Sequence, residues 1–150
     1  MEFTLSKLNT FLLFKLPSAY FSGVRVKQIS TEKCTVSVKH RWVNQNPFNS
    51  MYFAVQAMAA ELTTGALVMY HIKNSGKKIS MLVANNKGNF SKKAKGRITF
   101  TCNDGHLIAD AIARTVATGE GQTFWMKSIG VDEQGDQVSE MEFEWSVRAK

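Results

Sequence analysis

From Cys34 onward apolar and polar residues alternate. Cys34, Val36, Val38, His40 and Trp42 share one face, and Thr35, Ser37, Lys39 and Arg41 share the other. A period of two predicts a strand with one buried face. After the turn-forming "NQNPFNS" the period changes. Phe48, Tyr52, Val55, Ala59, Leu62 and Ala66 recur at steps of three and four. That spacing predicts a helix from Ser50 to about Val68, with Asn49 or Ser50 as N-cap. Its remaining faces are mostly Ala, Met and Gly, so it reads as a buried helix enclosed by a sheet or by partner subunits.

The helical pattern breaks at Asn74. "ISMLVANNKGNF" reads as a strand, "SKKAKG" as a loop and "RITFTC" as another strand. A shorter helix follows in "NDGHLIADAIARTVATGEG", with Asn103 or Asp104 as cap and Gly119 as its end. "QTFWMKSIGV" and "QVSEMEFEWSVR" form a hairpin around "DEQGD". In the last strand Met141, Phe143, Trp145 and Val147 point inward, and Glu140, Glu142 and Glu144 point to solvent. The N-terminal "MEFTLSKLNTFLLFKLPSAYF" reads as an amphipathic helix ended by Pro17. Glu2, Lys7 and Lys15 interrupt its apolar run. Hairpins outnumber crossovers, which predicts an α+β plan with a mostly antiparallel sheet.

Composition narrows the class. The chain has 150 residues, 44% hydrophobic and 21% charged, as expected of one globular domain over 1–150 with residues 1–22 as a helical extension. Cys34 and Cys102 have neither metal-ligand nor redox spacing, so small core positions and a reducing cytoplasm are the expectation, with no metal. Met51–Ile72 is long enough to span a bilayer, but Gln56, Glu61 and His71 lie within it. A central carboxylate costs about 2.5–3.5 kcal/mol there, so no stable membrane insertion is expected.

Glu61 is the position of interest. It is the only formal charge between Trp42 and Ile72. In an apolar pocket its pKa would rise and make it a general base or nucleophile. The alternative is a buried ion pair, although nothing at i±3 or i±4 offers a cation. His40 reads as a satisfied core histidine. Asp110 and Arg114 stand at surface-pair spacing.

The stretches "RWVNQNPFNSMYFAVQAMAAELTTG", "NFSKKAKGRITF" and "ARTVATGEGQTFWMKSIGVDEQGDQVSEMEFEWSV" resemble the hotdog-fold acyl-CoA thioesterase superfamily, in a branch with many uncharacterised members. The resemblance covers about Val24 to Val147. It implies an antiparallel sheet wrapped around a long central helix, and sites shared between subunits of a homodimer or a dimer of dimers. It places Asn46 before the helix, an acid fifteen residues later at Glu61, and an oxyanion-binding backbone amide at Phe53. The HGG-like triplet of many members is replaced by Tyr52–Phe53–Ala54. No histidine stands at the start of the helix, against a dehydratase. The implied reaction is hydrolysis of an acyl-CoA thioester with no cofactor beyond the coenzyme A of the substrate. A non-catalytic hotdog protein that binds an acyl chain, or serves as an interaction module, is the alternative.

The net charge of +7 is uneven. Eight cations, from Lys73 to Arg97, occur with no acid between Glu61 and Asp104. They read as a solvated face or as attraction for a polyanionic small molecule. The resemblance puts Lys92, Lys93 and Lys95 near the nucleotide end of coenzyme A. No nucleic-acid-binding signature accompanies them. Met51, Phe53, Met58 and Met81 are candidate apolar lining.

Overall fold

The alternating segments form one antiparallel sheet. The computed structural model describes residues 3–150, so Glu2 lies outside the described residues. Its strands are β1 (Arg25–Ile29), β2 (Cys34–Lys39), β3 (Ile79–Phe90), β4 (Arg97–Cys102), β5 (Gln122–Val131) and β6 (Gln137–Ala149). They run in the order β1-β2-β4-β5-β6-β3, every neighbouring pair antiparallel. The helices are α1 (Leu5–Lys15), α2 (Pro17–Phe21), α3 (Phe53–Ser75) and α4 (Gly105–Thr118).

The inward side chains of the sheet, among them Val36, Val38, Phe100, Met126, Phe143 and Val147, are buried together with Ala59, Ala60, Ala66 and Leu67 of α3. The alanines let α3 lie close to the strands. α3 packs against β1, β2, β4, β5 and β6, and α4 packs beside it on β5 and β6. This is the hotdog arrangement: a sheet wrapped around one long helix. Truncating a filled position such as Leu67 to Ala would cost about 2–5 kcal/mol.

The outer face answers the three glutamates of β6. Glu140 pairs with Lys127 at 3.1 Å and Glu142 with Lys87 at 3.3 Å, and Glu144 accepts a hydrogen bond from Asn85 Nδ2. Cys34 and Cys102 face each other across β2 and β4 as free, buried thiols. Burial pushes both thiols up to about 12, which keeps them protonated and inert.

Several boundaries differ from the sequence-based expectation. β1 is an additional strand; its short, mixed run carries a bulge between Val26 and Gln28, which blurs the alternation. β2 ends at Lys39, so His40 and Trp42 are not on its inner face. Trp42 is 83% exposed, and His40 Nε2 is buried without a partner among the described residues. α3 starts at Phe53 and runs to Ser75, and Gly76 at φ 67° ends it in a left-handed cap. Its N-cap is Tyr52, which has no side-chain capping bond. Phe48 and Tyr52 stand exposed, off the buried stripe. Pro17 opens α2 rather than simply ending a helix, and the two helices meet at Leu16. Asp104 occupies the α4 cap position, but its carboxylate accepts from Lys127 N instead. Asp110 and Arg114 form no ion pair among the described residues. No helix of the described residues is long and apolar enough to cross a membrane.

The two edges of the sheet are treated differently. On β1, Asn9 of α1 caps Val26 twice: Nδ2 donates to Val26 O at 3.1 Å and Oδ1 accepts from Val26 N at 2.9 Å. β3, twelve residues long, pairs among the described residues only with β6, which leaves its other side open there.

Candidate active site

The polar loop before α3 is organised by Asn46. Its Oδ1 accepts from Phe48 N, Ser50 N and Ser50 Oγ at 3.0–3.2 Å, and its Nδ2 donates to Met51 O at 3.3 Å. The carbonyl oxygen is fully used in holding the loop. One N–H of the amide remains. The loop is tied to its neighbours by Met51 N donating to Ala94 O and Tyr52 N donating to Asn44 O. Those bonds fix the backbone direction into α3.

At the start of α3 the Phe53 amide has no intrahelical acceptor, as for any first-turn N–H. No capping side chain takes it. Its ring packs edge-on against Tyr52 at 5.1 Å and Phe90 at 6.2 Å. Asn46, Phe53 and Gln56 line one cleft of about 480 Å³ with Phe90, Lys92 and Lys93. Gln56 is 4% exposed, and its Oε1 is buried with no partner among the described residues. A polar atom placed this way at a cleft is an unmet hydrogen-bonding capacity. Its signal in the sequence is only a glutamine among apolar residues.

Glu61 lies elsewhere. It is eight residues beyond Phe53, about 12 Å along the helix axis. Its side chain lines two adjoining cavities of about 410 and 220 Å³, walled by Lys15, Leu16, Leu62 and, in the smaller one, Gly65, Met69 and Trp145. It makes no ion pair or side-chain hydrogen bond among the described residues. Burial pushes its carboxyl up to about 7 from an ordinary 4.5. A carboxyl in that range holds or releases a proton near neutrality, as a general base must. Met58 and Met81 line these cavities, and Met51 and Phe53 line the first.

The basic loop divides. Lys92 is an ion-pair centre: its Nζ donates to Asp132 at 2.6 Å and Asp136 at 2.7 Å. The Asp132 bond and then the Asp136 bond push its pKa up, and Lys92 holds Asp132 below the usual carboxylate range. Its charge is thus engaged with the β5–β6 turn. Lys93 and Lys95 are exposed, with no ion-pair partner among the described residues. Lys93 lines the cleft and Lys95 does not. Among the described residues no group of three or more His, Cys, Asp or Glu is placed to hold a metal.

Residues 6–147 match a family described as a domain of unknown function, DUF4442. The chain belongs to that family. The match begins at residue 6 and so takes in nearly all of α1. Solved structures share the fold over nearly the whole chain. A protein of unknown function from Pseudomonas aeruginosa, described as "Probable Thioesterase", is 22% identical, with a TM-score of 0.81 over 100% of this chain and 99% of that one. A protein of unknown function from Chlorobaculum tepidum is 13% identical, with a TM-score of 0.84 over 97% and 94%. A thioesterase from Haemophilus influenzae is 13% identical, with a TM-score of 0.76 over 99% and 93%. No curated protein matches the sequence.

Proposed function

We propose that this DUF4442 protein hydrolyses an acyl-CoA thioester at a site shared by two subunits. The observation that carries this reading is the unpaired Glu61 carboxyl, held in an apolar cavity and raised to about 7. The thioesterase descriptions of proteins with this fold support the reaction class.

Glu61 and the Phe53 amide are too far apart along one helix to act on the same carbonyl. A two-fold dimer resolves this by bringing the partner subunit's Glu61 to the cleft of Asn46 and Phe53. The open β3 edge is the natural joining surface, because a long unpaired strand edge invites pairing and the β1 edge is already capped by Asn9.

In this reading the ionised Glu61 takes a proton from water as the water oxygen bonds to the thioester carbon. The oxyanion accepts from Phe53 N–H at the positive end of α3. Collapse breaks the C–S bond, and the Glu61 carboxylic acid returns its proton to the departing sulfur. The products are a carboxylic acid and the coenzyme A thiol. The remaining Asn46 N–H holds water or substrate, and no metal or further cofactor takes part. Lys93 and Lys95 attract the phosphates, while Lys92 holds the loop that carries them.

A free-thiol release assay over a series of acyl-CoA esters tests the reading. Turnover that vanishes in Glu61→Gln supports it. Tight acyl-CoA binding with no thiol release in the wild type would replace it with a binding role.

A further inference from the structure

α1 and α3 wall the same cavities, the start of α1 beside Met69 and Lys73 and its end beside Glu61 and Leu62, and each presents a four-step ridge to them. On α3 the ridge is Glu61, Gly65, Met69 and Lys73, a spacing that lines up one helix face. On α1 it is Lys7, Phe11 and Lys15. Three cavities follow this seam. The two beside Glu61 share Lys15, Leu16 and Leu62, and the smaller of them shares Phe11 and Met69 with a third of about 110 Å³. The shared walls make them one groove. It begins at the Leu16–Pro17 elbow, passes the carboxylate and ends near Phe3. There Phe3 meets Tyr70 edge-on at 5.1 Å, with Lys73 Nζ 5.4 Å from the Phe3 ring centre.

We propose that this groove holds the acyl chain of the substrate and that α1 sets its length, with Phe11 as the specificity-determining residue. The proposal rests on the thioesterase reading above. The floor is apolar between its charged ends: Leu62, Gly65 and Met69, with Met81 and Trp145 alongside. The twelve residues from Glu61 to Lys73 span about 18 Å of helix. An acetyl or butyryl group leaves most of that length empty, whereas a dodecanoyl or myristoyl chain fills it. Phe11 stands over the seam where the second and third cavities meet, so its bulk decides whether the chain runs on to the aromatic stop at Phe3 and Tyr70.

The test compares wild type, Phe11→Trp and Phe11→Ala with straight-chain acyl-CoA esters from butyryl to palmitoyl. Thiol release is measured, and binding is titrated separately in the Glu61→Gln background by calorimetry. Phe11 is 39% exposed, so both variants should fold. Affinity should rise about fourfold per methylene until the groove is full. Phe11→Trp should move the preferred chain shorter and cut the myristoyl to hexanoyl ratio about tenfold. Phe11→Ala should move the preference longer. Length profiles that coincide in all three proteins, or binding no tighter for myristoyl than for hexanoyl, would overturn the proposal. Absent thiol release with a length-dependent, Phe11-sensitive binding profile would instead reject hydrolysis and leave the acyl groove standing.

Discussion

The carboxylate of Glu61 lies over Gly65. A Cβ on Gly65 would stand 3.1 Å from Glu61 Oε1 and 3.1 Å from Trp145 Cζ2. The acid and the indole edge therefore share a space that exists because residue 65 has no side chain. Trp145 is itself pinned: its Nε1 donates to Thr64 Oγ1 at 2.8 Å, and that hydroxyl donates to Glu61 O at 2.7 Å. One turn of α3 thus sets both the acid and the wall that desolvates it.

Gly65→Ala should push the carboxylate or the indole out of place. Overpacking of this kind costs about 1–3 kcal/mol. Turnover should fall well beyond what that loss explains, because the acid is misplaced even in folded molecules. Thermal melts alongside activity per folded molecule check this. Unchanged turnover would mean that the Glu61 position is not critical.

The raised carboxyl predicts two pH dependences of defined sign. A carboxyl whose folded pKa exceeds its ordinary value stabilises the fold only while it stays protonated. Its contribution is present below about 4.5 and is lost as pH rises through about 7. Glu61→Gln should remove that loss, giving a variant at least as stable as wild type at pH 8. Activity runs the other way: the base must be ionised, so kcat should rise through a midpoint near 7. Urea titrations and rate profiles across pH 5–9 measure both. A Gln variant that melts far lower at pH 8 would restore the buried ion-pair reading.

Much of this was legible in the sequence. The period-two runs of β2 and β6, the apolar α3 and the Gly119 stop of α4 all have the spacing their elements require. Glu61 stood out because nothing near it in sequence could neutralise it. Other features depend on contacts between distant residues. β1 is short and bulged, and its edge is completed by Asn9. Ser50 is bonded to the Asn46 side chain and Asn49 turns the loop at φ 57°, so neither caps α3, whose N-cap is Tyr52. Lys92 looked like its neighbours until the β5–β6 turn brought Asp132 and Asp136 to it. Gln56 had no sequence signature beyond polarity.

The basic loop should separate by role. Neutralising Lys93 and Lys95 together should raise KM for acyl-CoA at low salt, with kcat intact, and should flatten the salt dependence of KM. Lys92→Ala should instead loosen residues 91–95, seen as faster amide exchange there. A Lys93/Lys95 double variant with unchanged KM and salt response would exclude these lysines as phosphate contacts.

Subunit complementation shows whether two subunits build one site. Phe53→Pro removes the oxyanion donor at a first-turn position that tolerates proline, and Tyr52 already has the extended backbone required before one (φ −61°, ψ 135°). Each single variant, Phe53→Pro or Glu61→Gln, should lose roughly 100-fold or more in turnover. Co-expressed in equal amounts, they should form mixed dimers in which one of the two sites is intact, restoring about a quarter of wild-type activity. Co-expressed protein no more active than the separate variants, despite mixed dimers proven by differential tags, would contradict a site built from two subunits.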